Sequence, residues 1–185
     1  MSNNASSRQV PNRNFLYPTG FKLEIARAPT VGYFGQQANI PAMTLGVVEQ
    51  PSYAKMIPRA GEIIEFDELT LNFLVDEDLG NYMEIQNWMR GMGFPEDLQE
   101  IYDWQNSSST PYVPNVSGID LYSSGVLSIF DSNNQTKIKV VFEHMFPYYL
   151  TTVQFDATVT ELQPLTAQVS FKYTIYNFKG KDENC

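Results

Sequence analysis

Apolar and polar residues alternate with a period of two over several separate stretches of this chain, and one further stretch carries the three-and-four spacing of a helix. Residues 21–27 set Phe21, Leu23 and Ile25 on one face, which is the pattern of a half-buried strand. Residues 69–75 do the same with Leu69, Leu71, Phe73 and Val75. Residues 126–130 and 136–146 flank the polar, turn-rich loop 131–135 and are predicted to form an antiparallel hairpin. In its second strand Ile138, Val140, Phe142, His144 and Phe146 share a face opposite Lys139, Val141, Glu143 and Met145, and Pro147 ends it. Residues 153–160 turn Val153, Phe155, Ala157 and Val159 inward and Gln154, Asp156, Thr158 and Thr160 outward. After Pro164 the last strand, residues 168–178, points Val169, Phe171, Tyr173 and Ile175 inward.

The helical stretch is residues 78–92, where Tyr82, Ile85, Met89 and Met92 fall on one face. Asp76 suits an N-cap, acids near the start suit the helix dipole, and Gly91, Gly93 and Pro95 end the helix. Residues 32–40 and 44–49 are weaker strands, and Pro41 and Pro51 mark this part as a crossing between sheets. Residues 93–119 read as an irregular surface insertion, with a short helix over 95–104. Residues 1–20 form a flexible arm whose apolar cluster is Phe15, Leu16 and Tyr17, and residues 179–185 are a charged tail. Strands, then a helix, then strands excludes a parallel doubly wound sheet. It predicts a mainly β chain with one domain over 21–178: two packed antiparallel sheets, a β-sandwich or part-barrel, with one flanking α-helix.

Between the weak strands and the helix lies the segment 49–61. Pro51 and Pro58 fence a short run in which Tyr53, Met56 and Ile57 stand beside Lys55 and Arg59, with Glu49 at its start. Apolar side chains on a projecting hairpin do little for a lone subunit, so this is read as an arm that docks on a neighbour.

Composition narrows the chemistry. At 185 residues the chain can bury a sizeable core without staples, and its one cysteine, Cys185, excludes an intrachain disulfide or a cysteine metal cluster. No stretch approaches the roughly 20 apolar residues of a membrane span, and the first residues lack the apolar run of a signal peptide, so a cytoplasmic origin is expected and no membrane partner. A net charge of -9 disfavours tight binding to a phosphate backbone. The single histidine, His144, rules out two-histidine metal sites, and its strand position reads as structural. Asp76, Glu77 and Asp78 are better explained by the helix start than by a cation, and no phosphate-cradling glycine loop occurs. The expectation is a protein without catalytic residues, metal or cofactor.

Ile40-Pro41, Gly46-Val-Val-Glu-Gln-Pro51, Ala60-Gly61, Phe66-Asp67-Glu68-Leu-Thr-Leu71, Asp76-Glu77, Gln86-Asn87-Trp88, Met145-Phe-Pro147 and Phe155-Asp156 follow one another in an order and spacing that resembles the tail tube proteins of contractile-tailed, T-even-like bacteriophages. The resemblance implies a β-sandwich with a flanking helix, six copies closing into a homo-oligomeric ring, and rings stacking into a tube. It implies tail sheath protein outside, baseplate and tail-terminator proteins at the ends, and tape-measure protein or double-stranded DNA within. The loop matching residues 49–61 would reach an adjoining subunit, and the outward set Gln154, Asp156, Thr158 and Thr160 is assigned to the lumen, although alternation supplies a face and not which face. The longer N-terminal arm and the 93–119 insertion depart from the family and leave room for a ring that starts or ends the tube. A reading from another class is a ligand-binding β-sandwich module on the virion, with Trp88 and Trp104 as stacking residues.

Overall fold

The computed structural model describes residues 14–93, 121–158 and 163–180. Among them the chain runs β1 (Phe21–Ile25), α1 (Pro29–Tyr33), β2 (Gly35–Ala38), β3 (Met43–Pro51), β4 (Met56–Phe66), β5 (Leu69–Leu74), α2 (Gly80–Gly93), β6 (Ser123–Phe130), β7 (Thr136–Leu150), β8 (Thr166–Lys172) and β9 (Ile175–Gly180). The expected mainly β architecture of antiparallel sheets with a flanking helix is what forms. The insertion at 94–119, Trp104, Thr160 and the terminal tail from 181 lie outside the described residues.

The long strand β7 ties two sheets together. Its first part pairs with β6 and β9, and β6 in turn pairs with β1. Its last part pairs with β8, which continues to β5 and β2. Alternation decides what each strand buries: Leu69, Leu71 and Phe73 face inward against Phe171, Val169 and Ala167, and Leu23, Ile25, Leu127, Val140 and Phe142 close the core from the other sheet. Helix α2 adds Ile85 and Trp88, and the Trp88 ring stands 6.1 Å from that of Phe171 while its Nε1–H donates to the Leu121 carbonyl at 2.9 Å. Tyr82, Met89 and Met92 pack half-buried beside them, so the predicted face is present but is centred on Trp88.

Several expectations change, each for a local reason. Residue 144 adopts a left-handed conformation (φ 53°) at a register irregularity between β6 and β7. The bulge turns His144 to solvent, against Tyr122, and sends Met145 into the core, reversing the predicted faces beyond Glu143. Strand β7 then runs through Pro147, because β6 no longer accompanies it after Met145 and the missing N–H costs no ladder bond on that side. Residues 151–158 form no strand. Asp156 accepts from both the backbone N–H and the hydroxyl of Thr158, an Asx-type turn that competes with extended pairing and holds the Asp156 carboxyl below its usual range. The final strand is two: a break at Tyr173–Thr174 moves the chain from β8 to β9, where it pairs with β7 and leaves Ile175 exposed.

Asp76 does not cap α2, which begins at Gly80. Its carboxylate accepts the Glu77 N–H, and the buried Asn81 bridges the turn by donating to the Leu74 carbonyl at 2.7 Å and accepting from the Asp76 N–H at 3.2 Å. The short α1 takes the first residues of the predicted strand 32–40, so β2 begins only at Gly35. A Cβ at Gly32 would lie 2.5 Å from the Leu23 carbonyl oxygen, so α1 rests directly on β1. The Thr30 hydroxyl donates to Glu84 of α2, as do the Thr30 and Val31 amides, so the first turn of α1 is capped from another element.

Candidate assembly surface

Strands β3 and β4 form a two-stranded sheet of their own, joined by a tight turn in which Ser52 N–H donates to the Lys55 carbonyl at 3.0 Å. The predicted 49–61 hairpin is therefore only the outer half of a longer blade. The eleven residues of β4 span roughly 35 Å. A lone two-stranded hairpin is marginal in water at best, so a blade of this size implies a third surface.

Side chains directly opposite in an antiparallel pair share a face. One face of the blade therefore carries Met43, Leu45 and Val47 with Phe66, Ile64 and Ala60 opposite, then Glu49, Pro51, Pro58 and Met56 toward the tip. The other face carries Thr44, Glu65, Arg59, Gln50, Val48 and Ile57, and Arg59 Nε–H donates to Gln50 Oε1 across it. The blade is amphipathic, yet its apolar side is uncovered: Met43, Leu45, Val47, Met56 and Ile64 are all exposed. Covering one such side chain stabilises by about 1.5–3 kcal/mol. Two glycines shape the blade, since a Cβ at Gly61 would stand 2.7 Å from the Gly46 carbonyl at the register irregularity between Leu45 and Val47.

The root of the blade is fixed. The Phe66 ring packs at 6.1 Å from Tyr173 and 5.4 Å from Tyr176, and both tyrosines touch Phe142 of the core. Tyr173 O–H donates to the Asp67 carbonyl at 2.8 Å and Tyr176 O–H to the Pro41 carbonyl at 3.2 Å, so the two ends of the hairpin are pinned by one hydroxyl each. Burial pushes the Tyr173 phenol well above its ordinary range, which keeps that donor protonated. Beside the root, Glu68 accepts from Tyr148 and pairs with Lys172 at 3.1 Å, and these contacts hold its carboxyl below the usual range.

The sequence-predicted assembly residues fall as follows. Glu49, Pro51, Tyr53, Lys55, Met56, Ile57, Pro58 and Arg59 are all exposed on the outer half of the blade, and Tyr53 projects fully at its tip. Phe15, Leu16 and Tyr17 are exposed ahead of β1. Gln154, Asp156 and Thr158 are exposed in irregular chain, so the strand that grouped them with the lumen is missing. Sequence reasoning passed over Met43, Leu45, Val47 and Ile64, whose signal was the alternation of residues 43–47 opposite Ile64 and Phe66. Trp88 is buried, which removes it from any ligand-stacking role. Among the described residues no group of three or more His, Cys, Asp or Glu side chains could hold a metal, and no helix is long and apolar enough to cross a membrane.

Residues 9–179 match the family described as phage tail tube protein. No curated protein matches the chain. Among solved structures, it is similar to a chain of the anti-feeding prophage baseplate, with a TM-score of 0.56 at 13% identity over 95% of this chain and 98% of that one. It is also similar to a chain of the anti-feeding prophage tube-terminating cap, at 0.53 and 12% over 95% and 98%. A chain of the sheath-tube complex of an extracellular contractile injection system follows, at 0.51 and 13% over 97% and 99%. At these identities the likeness is one of fold.

Proposed function

Because this chain belongs to the phage tail tube protein family, we propose that it is a structural subunit of the virion that works by geometry and not by catalysis. Six copies close into a ring, and rings stack into the inner tube of a contractile tail. Tail sheath protein lies outside, baseplate and terminator proteins lie at the ends, and tape-measure protein and then double-stranded DNA occupy the lumen. The observation that carries this reading is the β3–β4 blade: a pinned root, a long reach and an apolar face left open beside a buried core. A surface of that kind is completed by another subunit, and an acidic chain of net charge -9 adheres weakly to a polyanion moving past it.

Electron microscopy of the purified chain tests the proposal, with stacked rings expected. Isolated single rings that never extend would instead identify a ring that starts or ends the tube, and a chain that stays monomeric at high concentration would overturn the assembly reading. Replacing Tyr53, Met56 and Ile57 together with Ser should leave the circular dichroism unchanged and abolish stacking; polymers of normal length would remove the blade tip from the contact.

A further inference from the structure

We propose that Met43 and Met56 are sites of reversible oxidation by peroxide, and that their sulfoxides hold a subunit out of assembly. The inference rests on the tube reading and gives the blade a chemical control. Of the chain's seven methionines, six lie among the described residues, and they fall into three settings. Met145 is enclosed in the core at 0% exposure, and Met89 and Met92 pack half-buried against that core. Met83 is exposed on α2. Met43 and Met56, at 59% and 56%, are the most open thioethers of the six, and both lie on the apolar face of the blade.

Their places on that face bracket it. Met43 stands opposite Phe66 at the root and Met56 opposite Pro51 at the tip, roughly 26 Å apart at about 3.3 Å per residue of strand. Leu45, Val47 and Ile64 lie between them and carry no oxidisable atom. Aliphatic side chains therefore satisfy the middle of this face, and thioethers stand at its two ends. Oxidation there balances simply. The sulfur gives an electron pair to one oxygen of hydrogen peroxide, the O–O bond breaks, and the other oxygen leaves as water with both protons. One thioether and one peroxide become one sulfoxide and one water. A methionine sulfoxide reductase reverses the step with a dithiol, which becomes a disulfide while the oxygen leaves as water.

A sulfoxide converts a flexible apolar side chain into a polar one and disrupts contacts that methionine makes. In the free subunit this costs little, because both side chains already stand in water. In the tube a neighbour covers the face, and the paired residues of that face offer no side-chain N–H or O–H to the new S=O. Burying a polar group without a partner weakens an interface by about tenfold or more. With one such group at each end, no part of the contact is spared. Access sets the order of events: the free subunit is open to peroxide and to reductase, and the covered face is closed to both. A subunit oxidised before assembly is thus kept out until it is repaired.

The full chain tests this in a Cys185→Ser background, so that the one thiol takes no part. Free chain is treated with hydrogen peroxide and sampled over time, with each methionine read by peptide mass spectrometry and assembly by sedimentation and electron microscopy. Met43 and Met56 are expected to gain oxygen well before Met145. The assembled fraction should fall by about tenfold or more, with Tm unchanged, and reductase with dithiothreitol should restore it. Met43→Leu combined with Met56→Leu keeps the face apolar and should assemble normally after the same treatment, whereas Met83→Leu should be as sensitive as the parent. Normal assembly of chain oxidised at both positions overturns the inference and leaves the tube reading intact. Loss of assembly in the treated double-leucine variant also overturns it, since the sensitive group then lies elsewhere. If that variant fails to assemble even untreated, the repair arm decides: recovery in step with loss of oxygen from Met43 and Met56 supports the assignment, and repaired chain that stays unassembled counts against it. A chain that never assembles, treated or not, brings down the tube reading and this inference with it.

Discussion

Strands β5 and β3 carry the same written pattern and meet opposite fates. In β5, Leu69, Leu71 and Phe73 alternate with polar residues and are each 0% exposed. In β3, Met43, Leu45 and Val47 also alternate, yet they are 59%, 47% and 67% exposed. The difference lies in what stands opposite. The inward residues of β5 belong to one buried core with residues of β1, β6, β7, β8 and α2 of its own chain, whereas nothing described in the chain covers the exposed side chains of the blade. Period-two alternation therefore reports that a strand has an apolar side and says nothing about whose atoms will cover it.

The largest effect should come from the roofed region. Phe73→Ala is expected to destabilise the folded subunit by about 3–5 kcal/mol, read as a drop in the denaturant midpoint, while Val47→Ser should leave that midpoint within about 0.5 kcal/mol of the parent and lower only the assembled fraction by sedimentation. If both variants lose stability alike, the blade is folded into its own subunit and the contrast fails. A middle-sized effect is expected at the junction between the regions. Tyr173→Phe with Tyr176→Phe removes the two hydroxyl pins and should cost about 1 kcal/mol for each bond, with amide exchange rising at the base of β3 and β4 and staying slow in β5 and β8. Uniform exchange across both would mean that the root does not separate blade from core.

The smallest effect concerns pH and the cap between the helices. Desolvation raises the Glu84 carboxyl above its ordinary value, ahead of the lowering contribution of its Thr30 and Val31 hydrogen bonds. A carboxyl raised in the folded state contributes stability that is complete below its unfolded pKa and is lost as pH rises through its folded pKa. Glu84→Gln should therefore flatten the stability profile across the acidic range without lowering stability at neutral pH. A loss at neutral pH would show that the carboxylate's hydrogen bonds outweigh its desolvation.

Much of the roofed region was legible in the residues. The inward sets of β1, β5 and the first part of β7 follow from alternation, and the face of α2 from its spacing. What was missed depends on partners distant in sequence. Helix α1 has five residues and no periodicity of its own, and its first turn is capped by Glu84 from α2. The reversal at His144 needs a left-handed residue that no composition marks, and Pro147 passes as strand only because β6 has already ended. On the assembly surface the proline-fenced tip was visible at once. Strand β4 was hidden because residues 61–63 lie at the register irregularity between Leu45 and Val47, which interrupts its alternation. The turn at Asp156 and Thr158 shows the opposite error, alternation without a ladder to use it.

The seat of α1 on β1 has one more result. With that flank shielded, the backbone groups that β1 turns away from β6 are closed to a further strand at Leu23, so the run β1-β6-β7-β9 can be lengthened past β9 and not past β1.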